Sequence, residues 1–441
     1  MKRLFGTDGV RGVANKDLTP DLALALGRAA GTVIGGRGSI VVGRDTRLSG
    51  PMLEGALVGG LCSAGANVLL AGIVPTPAVA FLTVDEDARA GAMISASHNP
   101  VPDNGIKFFS SEGIKVPGEV EEAIEGAIES PPTDLPVGEG IGTAEELTGG
   151  DDRYVAHLLS TLDGSLDGLR VVLDCAFGAA YSIGPRAFRE AGAEVTVLHA
   201  EPDGARINVD CGSTSLDKVA RAVVEEGADI GIGFDGDADR ALAVDERGEI
   251  VDGDRIIGMT ALQWSRDGAL KDNLVVATVM SNLGFRRALE EAGIEVITAP
   301  VGDKYVAEAM AERGAILGGE QSGHVIFSQH ATTGDGILTG LQLANILSAS
   351  DEPLSKLAHF YEPFPQVLIN VPVKSRDELE TTEELWEAVR AAEATLGDDG
   401  RVLLRPSGTE PLVRVMVEAA DRDVAERSAA SLAADVERLL G

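Results

Sequence analysis

The stretch Ala64-Gly65-Ala66-Asn67-Val68 returns as Ala191-Gly192-Ala193-Glu194-Val195 and again as Ala292-Gly293-Ile294-Glu295-Val296. Each copy closes an amphipathic helical pattern and opens an apolar, β-branched run. Each then leads to a loop with Pro or Gly: Val74-Pro75-Thr76-Pro77, Glu201-Pro202-Asp203-Gly204 and Pro300-Val301-Gly302-Asp303. Glycine is the usual residue past a helix end because it accepts the left-handed conformation there. Helix, turn and strand therefore follow in the same order three times, about one domain apart. Within 441 residues, that repetition predicts three similar α/β domains.

Buried strands are expected at 39–43, 68–71, 170–174, 230–234 and 274–277, each followed by a polar or Gly-rich loop. Strand, loop and helix in this order imply α/β layers with parallel or mixed sheets. In such folds ligands collect at loops beyond strand C-termini. The last part of the chain differs. A strand at 367–373, a helix at 382–396, strands at 400–405 and 413–418 and a final Ala-rich helix read as a small α+β domain with an antiparallel sheet. The expected domains are 1–150, 151–253, 254–365 and 366–441, with a boundary at Pro363-Phe364-Pro365.

Composition narrows the function. A net charge of −33 argues against nucleic acid or an anionic membrane as partner, since both need a basic footprint. An anionic substrate would require cations concentrated locally, which screening over roughly 8 Å at physiological salt permits. Only 4% of residues are aromatic, so Ala, Val, Leu and Ile must fill the cores. Cys62, Cys175 and Cys211 are widely spaced, with neither a zinc spacing nor a disulfide framework, as expected in a reducing cytoplasm. The N-terminus lacks the apolar region of a signal peptide. Residues 55–82 carry no formal charge, but Gly59-Gly60, Ser63, Asn67 and Pro75-Thr76-Pro77 break them into helix, turn, strand and loop rather than a membrane span.

Four loops carry chemistry. Ile94-Ser95-Ala96-Ser97-His98-Asn99-Pro100 sets a hydroxyl in a small-residue turn beside a histidine. Asp235-Gly236-Asp237-Ala238-Asp239-Arg240 sends three carboxylates to one side if extended. Three converging anions need a cation, and oxygen ligands select Mg²⁺ or Ca²⁺. An EF-hand is the rival, since Glu246 falls at the twelfth position. Arg240 stands at the sixth, where that motif needs glycine, and the flanks read as strands. Arg240 could hold a phosphate or neutralise a carboxylate. Gly319-Glu320-Gln321-Ser322-Gly323-His324 puts Glu320 and Ser322 on one side, suited to neighbouring sugar hydroxyls. Arg405-Pro406-Ser407-Gly408-Thr409-Glu410-Pro411 can offer successive N–H groups, two hydroxyls and Arg405 as an anion nest. Arg11 in the Gly-lined opening and Lys107 after the Ser97 loop can each neutralise a transferring phosphoryl group.

Taken jointly, and with Leu4-Phe5-Gly6-Thr7-Asp8-Gly9-Val10-Arg11-Gly12, Asp103-Asn104-Gly105-Ile106-Lys107 and Val279-Met280-Ser281-Asn282-Leu283-Gly284, the chain resembles the α-D-phosphohexomutase superfamily over its whole length. Within it, the motifs are similar to the branch acting on glucosamine phosphates. The resemblance implies four domains around a central cleft, an isomerase, Ser97 as a phosphoserine, and a C-terminal domain that opens with Pro363–Pro365 as its hinge. It implies one Mg²⁺ held by the Ser97 phosphate, Asp235, Asp237 and Asp239, with Glu320 and Ser322 on sugar hydroxyls. Arg405, Ser407, Gly408, Thr409 and Arg414 would grip the non-reacting phosphate. The general base stays open among Lys107, Arg11 and His98. Glucosamine 1,6-bisphosphate or glucose 1,6-bisphosphate would prime the enzyme, or a kinase or autophosphorylation would charge it, in a monomer or homodimer. Glucose or mannose phosphates are the alternative substrates, and a phosphosugar-binding regulator with a dead site is the alternative class.

Overall fold

The computed structural model describes residues 3–6, 8–36, 38–375, 378–406 and 411–441. They form four sheets, and the three copies of the repeat account for the shared plan of the first three. In each copy a helix (Gly50–Ser63, Ile183–Glu190, Leu283–Glu291) joins two strands that pair in parallel. The pairs are Ser39–Arg44 with Asn67–Ile73, Arg170–Asp174 with Glu194–Leu198, and Leu274–Thr278 with Glu295–Ala299. The repeated glycines 65, 192 and 293 all have positive φ, between 76° and 105°. The repeat is thus a β-α-β crossover whose turn needs a residue free of the Cβ penalty.

Each of these sheets adds antiparallel strands to the parallel pair. The first runs Val10–Val13, Asp103–Ser110, Ala90–Ile94, Ser39–Arg44, Asn67–Ile73, Ala144–Glu146. The second runs Ile250–Val251, Ala241–Asp245, Ile230–Phe234, Arg170–Asp174, Glu194–Leu198. The third runs Glu295–Ala299, Leu274–Thr278, Leu317–Gly319, Val325–Phe327. The expected three mixed-sheet α/β domains are therefore present. So is the C-terminal α+β domain: Gln366–Pro372, Leu412–Ala419 and Gly400–Pro406 form an antiparallel sheet with the helices Glu383–Leu396 and Arg422–Leu440. Cores are built mainly from Ala, Val, Leu and Ile. Among the described residues no helix is long and apolar enough to cross a membrane.

The chain divides into two compact units: residues 1–280 with 294–358, and residues 281–293 with 359–441. Helix Leu283–Glu291 belongs to the second unit, and Glu418 explains why. This carboxylate has no exposed surface. It accepts from Arg401 Nε at 2.6 Å, Gln366 Nε2 at 3.0 Å, Leu283 N at 3.1 Å and Asn282 Nδ2 at 3.3 Å. Asn282 also exchanges hydrogen bonds with the backbone of Phe364, accepting from its N–H at 2.9 Å and donating to its C=O at 3.0 Å. A Cβ on Gly284 would stand 2.4 Å from Glu362 O. The motif at 279–284 is accordingly a docking element. Pro363–Pro365, expected as a hinge, lies inside the second unit, and the chain passes between units at 280–281, 293–294 and 358–359.

Within the first unit, three helix starts position the loops. Asp335 caps helix Gly336–Ser348 by accepting from Leu338 N, and Gly336 N donates to Ala238 O at 2.9 Å. Thr76 opens helix Thr76–Asp85 and donates its backbone N–H to Asp237 O at 2.9 Å. Asp252 caps helix Gly253–Arg266 and accepts from Gln321 Nε2 at 3.1 Å. Asp335 also accepts from the buried Tyr154 hydroxyl at 2.6 Å, and burial pushes its carboxyl up to about 6. A pKa raised on folding means the folded state binds an extra proton between the ordinary carboxylate range and about 6, so stability falls as pH climbs through that window. Asp335→Asn keeps a capping oxygen and removes this linkage. Its melting temperature should gain on that of the parent chain as pH is raised from about 4 to about 7, as read by calorimetry; a pH-independent gap would contradict this.

Candidate active site

Ser97 sits in the turn joining strands Ala90–Ile94 and Asp103–Ser110, with φ of 52° and 2% exposure. A serine in the left-handed region costs conformational energy and persists only where its surroundings hold it. Three groups do so. Ser95 Oγ accepts from Ser97 N at 2.8 Å, and Ser97 C=O accepts from Asn208 Nδ2 at 2.8 Å and Arg47 Nη2 at 2.9 Å. Arg47, itself buried, is the organiser of the whole loop. Its guanidinium also donates to the carbonyls of Pro100 at 2.6 Å, Asn99 at 2.7 Å and Asp103 at 2.9 Å, while Nε meets Asp45 Oδ2 at 3.0 Å. Asp45 in turn accepts from Ser95 Oγ at 2.7 Å.

Ser97 Oγ points at the acidic loop, donating to Asp235 Oδ2 at 2.5 Å and lying 3.2 Å from His98 Nδ1. Asp235, Asp237 and Asp239 are all buried, and ligand oxygens from the three lie within 4.8 Å of one another. The strand Ile230–Phe234 delivers them and Ala238, with φ of 54°, turns the loop. Burial and its two neighbouring carboxylates hold the Asp235 carboxyl well above the ordinary range. Burial also works to raise Asp237, but Lys107 and the Thr76 hydroxyl outweigh it and hold that carboxyl below its ordinary value. Thr76 Oγ1 donates to Asp237 Oδ2 at 2.5 Å, and Lys107 Nζ reaches Asp237 Oδ2 at 3.0 Å and Asp239 Oδ2 at 3.3 Å. Burial disfavours the Lys107 ammonium, yet Asp237, Asp8 and Asp239 overcome this and keep it protonated.

Lys107 thus occupies one oxygen of each of two carboxylates. Oδ1 of Asp237 and Oδ1 of Asp239 are buried with no hydrogen-bond partner among the described residues. Orphaned, buried carboxylate oxygens beside Asp235 and Ser97 Oγ fit a small, hard divalent cation such as Mg²⁺. The strands on both sides of the loop, and Arg240 at its sixth position, rule out an EF-hand.

The other expected groups in this unit gather nearby. His98 is neutral at neutral pH, pushed down to about 4 by burial and by Arg240 and Arg11. Arg11 pairs with Asp8 and reaches Asn99 Oδ1 at 3.4 Å. Arg240 Nε lies 3.9 Å from Asp239. Glu320 accepts from Gly302 N at 2.9 Å and from Ser322 Oγ at 3.2 Å, so this pair does sit together. In the second unit, Arg405 and Arg414 face each other across adjacent antiparallel strands. Ser407, Gly408 and Thr409 lie outside the described residues.

Several groups escaped the sequence reading. Arg47 and Asp45, in Gly43-Arg44-Asp45-Thr46-Arg47, follow a buried strand and could have been suspected from that position. Lys115 bridges Asp8 and Asp303, a link between distant segments that no local pattern announces. His324, at the end of the expected sugar loop, is buried, with Nε2 3.7 Å from Asp303 Oδ2 and both ring nitrogens lacking hydrogen-bond partners among the described residues.

Comparison with known proteins bears on this arrangement. Phosphoglucomutase/phosphomannomutase domain descriptions match along the chain: alpha/beta/alpha domain I at residues 2–133, II at 152–248, III at 252–364 and the C-terminal domain at 368–435. The phosphoglucosamine mutase of Frankia alni is 55% identical over 451 residues, covering 100% of this chain and 99% of that one. A phosphoglucomutase/phosphomannomutase family protein from Burkholderia thailandensis superposes with a TM-score of 0.85 at 28% identity, covering 99% and 98% of the two chains. The N-acetylphosphoglucosamine mutase of Aspergillus fumigatus, solved with GlcNAc-6P and magnesium, shares the fold with a TM-score of 0.71 at 18% identity, covering 99% and 95%.

The Arg47 network yields a direct test. Arg47→Met would leave Asp45 and four loop carbonyls without their cation, at a cost of about 3–5 kcal/mol in urea-unfolding free energy. A change below about 1 kcal/mol would show that water replaces the guanidinium.

Proposed function

Because the chain belongs to the phosphoglucomutase/phosphomannomutase family, we propose that it interconverts glucosamine 6-phosphate and glucosamine 1-phosphate through phospho-Ser97. The observation that carries this is Ser97 Oγ, 2.5 Å from Asp235 in a cluster of three buried carboxylates. The choice of an amino sugar rests on the 55% identity to a phosphoglucosamine mutase. The product would feed amino-sugar nucleotide and cell-wall precursor synthesis in the cytoplasm, and Cys62, Cys175 and Cys211 form no disulfide.

In the first half-reaction the Ser97 Oγ–P bond breaks as a bond forms from phosphorus to O1 of glucosamine 6-phosphate. The proton of the sugar hydroxyl passes by way of His98 to Ser97 Oγ, and a 1,6-bisphosphate remains bound. The sugar then turns over, and its 6-phosphoryl returns to Ser97. Asp235, Asp237, Asp239 and the Ser97 phosphate would hold a Mg²⁺, which would supply Lewis-acid stabilisation of transferred charge. Lys107 and Arg11, both cations engaged with carboxylates, stabilise transferred charge. His98, beside Ser97 Oγ, handles the proton at that atom. Glu320 and Ser322 hold sugar hydroxyls while Arg240 holds charge near the reacting phosphate. Arg405, Ser407, Gly408, Thr409 and Arg414 hold the non-reacting one. A glucosamine or glucose 1,6-bisphosphate primer, or an activating kinase or autophosphorylation, charges Ser97.

Intact-mass analysis should find one added phosphoryl unit, absent from Ser97→Ala, which should be inactive in a coupled mutase assay. Chelation should abolish turnover and Mg²⁺ restore it. His98→Ala should keep the phosphoryl unit but lose about 10²-fold or more in kcat. Turnover of glucose 6-phosphate or mannose 6-phosphate equal to that of glucosamine 6-phosphate would reject the substrate assignment. Sugar binding without phosphorylation or turnover would indicate a regulator instead.

A further inference from the structure

A second set of ligand-type side chains lies outside this site, at the edge of the second sheet. Asp174 ends the strand Arg170–Asp174, and His199 follows the neighbouring parallel strand Glu194–Leu198, with Asp174 in register with Leu198. Cys211 comes from the loop beyond His199. One ligand atom from each of the three lies within 4.8 Å of the others. His199 Nδ1 is 2.9 Å from Asp174 Oδ2, while Ala176 N donates to Asp174 Oδ1 at 2.9 Å. Asp174 and Cys211 have no exposed surface, and His199 retains 16%. The Phe177 ring packs on the imidazole at 4.7 Å between centroids, and Phe177 N donates to His199 C=O at 2.8 Å.

The chemistry of this set differs from that of the acidic loop. Carboxylate, imidazole and thiol together suit a borderline-soft divalent ion and give Mg²⁺ no advantage. Zinc bonds of about 2.0–2.3 Å at tetrahedral angles separate ligand atoms by roughly 3.3–3.6 Å, so side-chain shifts of about 1 Å would close the set on an ion. A plain Asp–His hydrogen bond explains two of the three groups. It does not involve the Cys211 thiol, whose sulfur stands within 4.8 Å of a ligand atom of each. A thiolate there needs a cation, and a cation would cancel the charge of the buried carboxylate as well.

We propose that Asp174, His199 and Cys211 bind one Zn²⁺-class divalent ion, with water available for a fourth position. Binding releases the Cys211 proton to solvent. The ion acts structurally, behind the Ser97 turn. Between His199 and Cys211 the chain carries Asn208, held with φ of 60°, whose amide donates to Ser97 C=O at 2.8 Å. Just beyond Cys211, a Cβ on Gly212 would stand 2.2 Å from Phe234 O, the residue before Asp235. Fixing Cys211 to Asp174 and His199 therefore fixes the ground on which both the serine turn and the acidic loop rest. The proposal stands on its own ligands and does not depend on the sugar substrate.

Elemental analysis of the full-length protein, purified without added metal or immobilised-metal resin and then dialysed against micromolar Zn²⁺ with excess Mg²⁺ to occupy the acidic loop, should find one zinc per chain that gel filtration does not remove. Exchange with Co²⁺ should produce a thiolate-to-cobalt charge-transfer band in the near ultraviolet. That band should persist in Cys62→Ser and in Asp237→Asn and disappear in Cys211→Ser, and His199→Gln should weaken Co²⁺ binding by about tenfold or more. Absence of the band in the parent chain, which needs no variant to fold, would overturn the proposal. So would a band that survives Cys211→Ser, or zinc bound without the thiolate signature.

Discussion

Three buried carboxylates facing one another are tolerable only if cations face them too, and much of this molecule is arranged to supply that charge. At separations of a few ångströms, like charges repel by several kcal/mol even at an effective dielectric near 20. Lys107 answers part of this from the adjacent domain, taking one oxygen each of Asp237 and Asp239. The oxygens it leaves bare would fit a divalent cation. Because the chain carries a net charge of −33, its field opposes an anionic substrate. Local neutralisation at this one point is the condition for phosphate chemistry here.

The same constraint explains why Ser97 is held so tightly. On the proposed mechanism, a hydroxyl that carries a phosphoryl group beside a metal has to be fixed within a fraction of an ångström. The turn bearing it has a strained backbone and cannot fix itself. Arg47 supplies the missing rigidity by binding four carbonyls of the turn and its flanks, and Asn208 adds a grip from the second domain. The helices at Thr76 and Gly336 meet the backbone of the acidic loop at Asp237 and Ala238. Domains one to three therefore share one frame, and each contributes a side of the same loop.

The fold was largely legible in the sequence because its signal is local and repeated. The Ala-Gly turns required helix ends, and the parallel pairing of the strands on either side followed from the crossover they bound. The site was legible where one short segment carries several ligands, as at 235–240, or where motifs could be read jointly through family resemblance. It was illegible where the chemistry is made by pairs far apart. Lys115 with Asp303, Tyr154 with Asp335, and Asp174 with Cys211 leave no periodicity behind. The motif at 279–284 is a conspicuous segment in which Asn282 and Leu283 bond Glu418 and so hold the start of a helix.

The sequence by itself determined the number and kind of domains, the acidic loop and the serine beside a histidine. Hydrophobic periodicity, glycine conformation and short-range carboxylate spacing all act within a few residues. Tertiary structure alone decided which oxygens are left bare, that Lys107 is locked as a cation while His98 is left neutral, and that a thiol meets a carboxylate and an imidazole behind the serine. Those properties depend on burial and on charges brought together across domains, and a linear chain in water has neither.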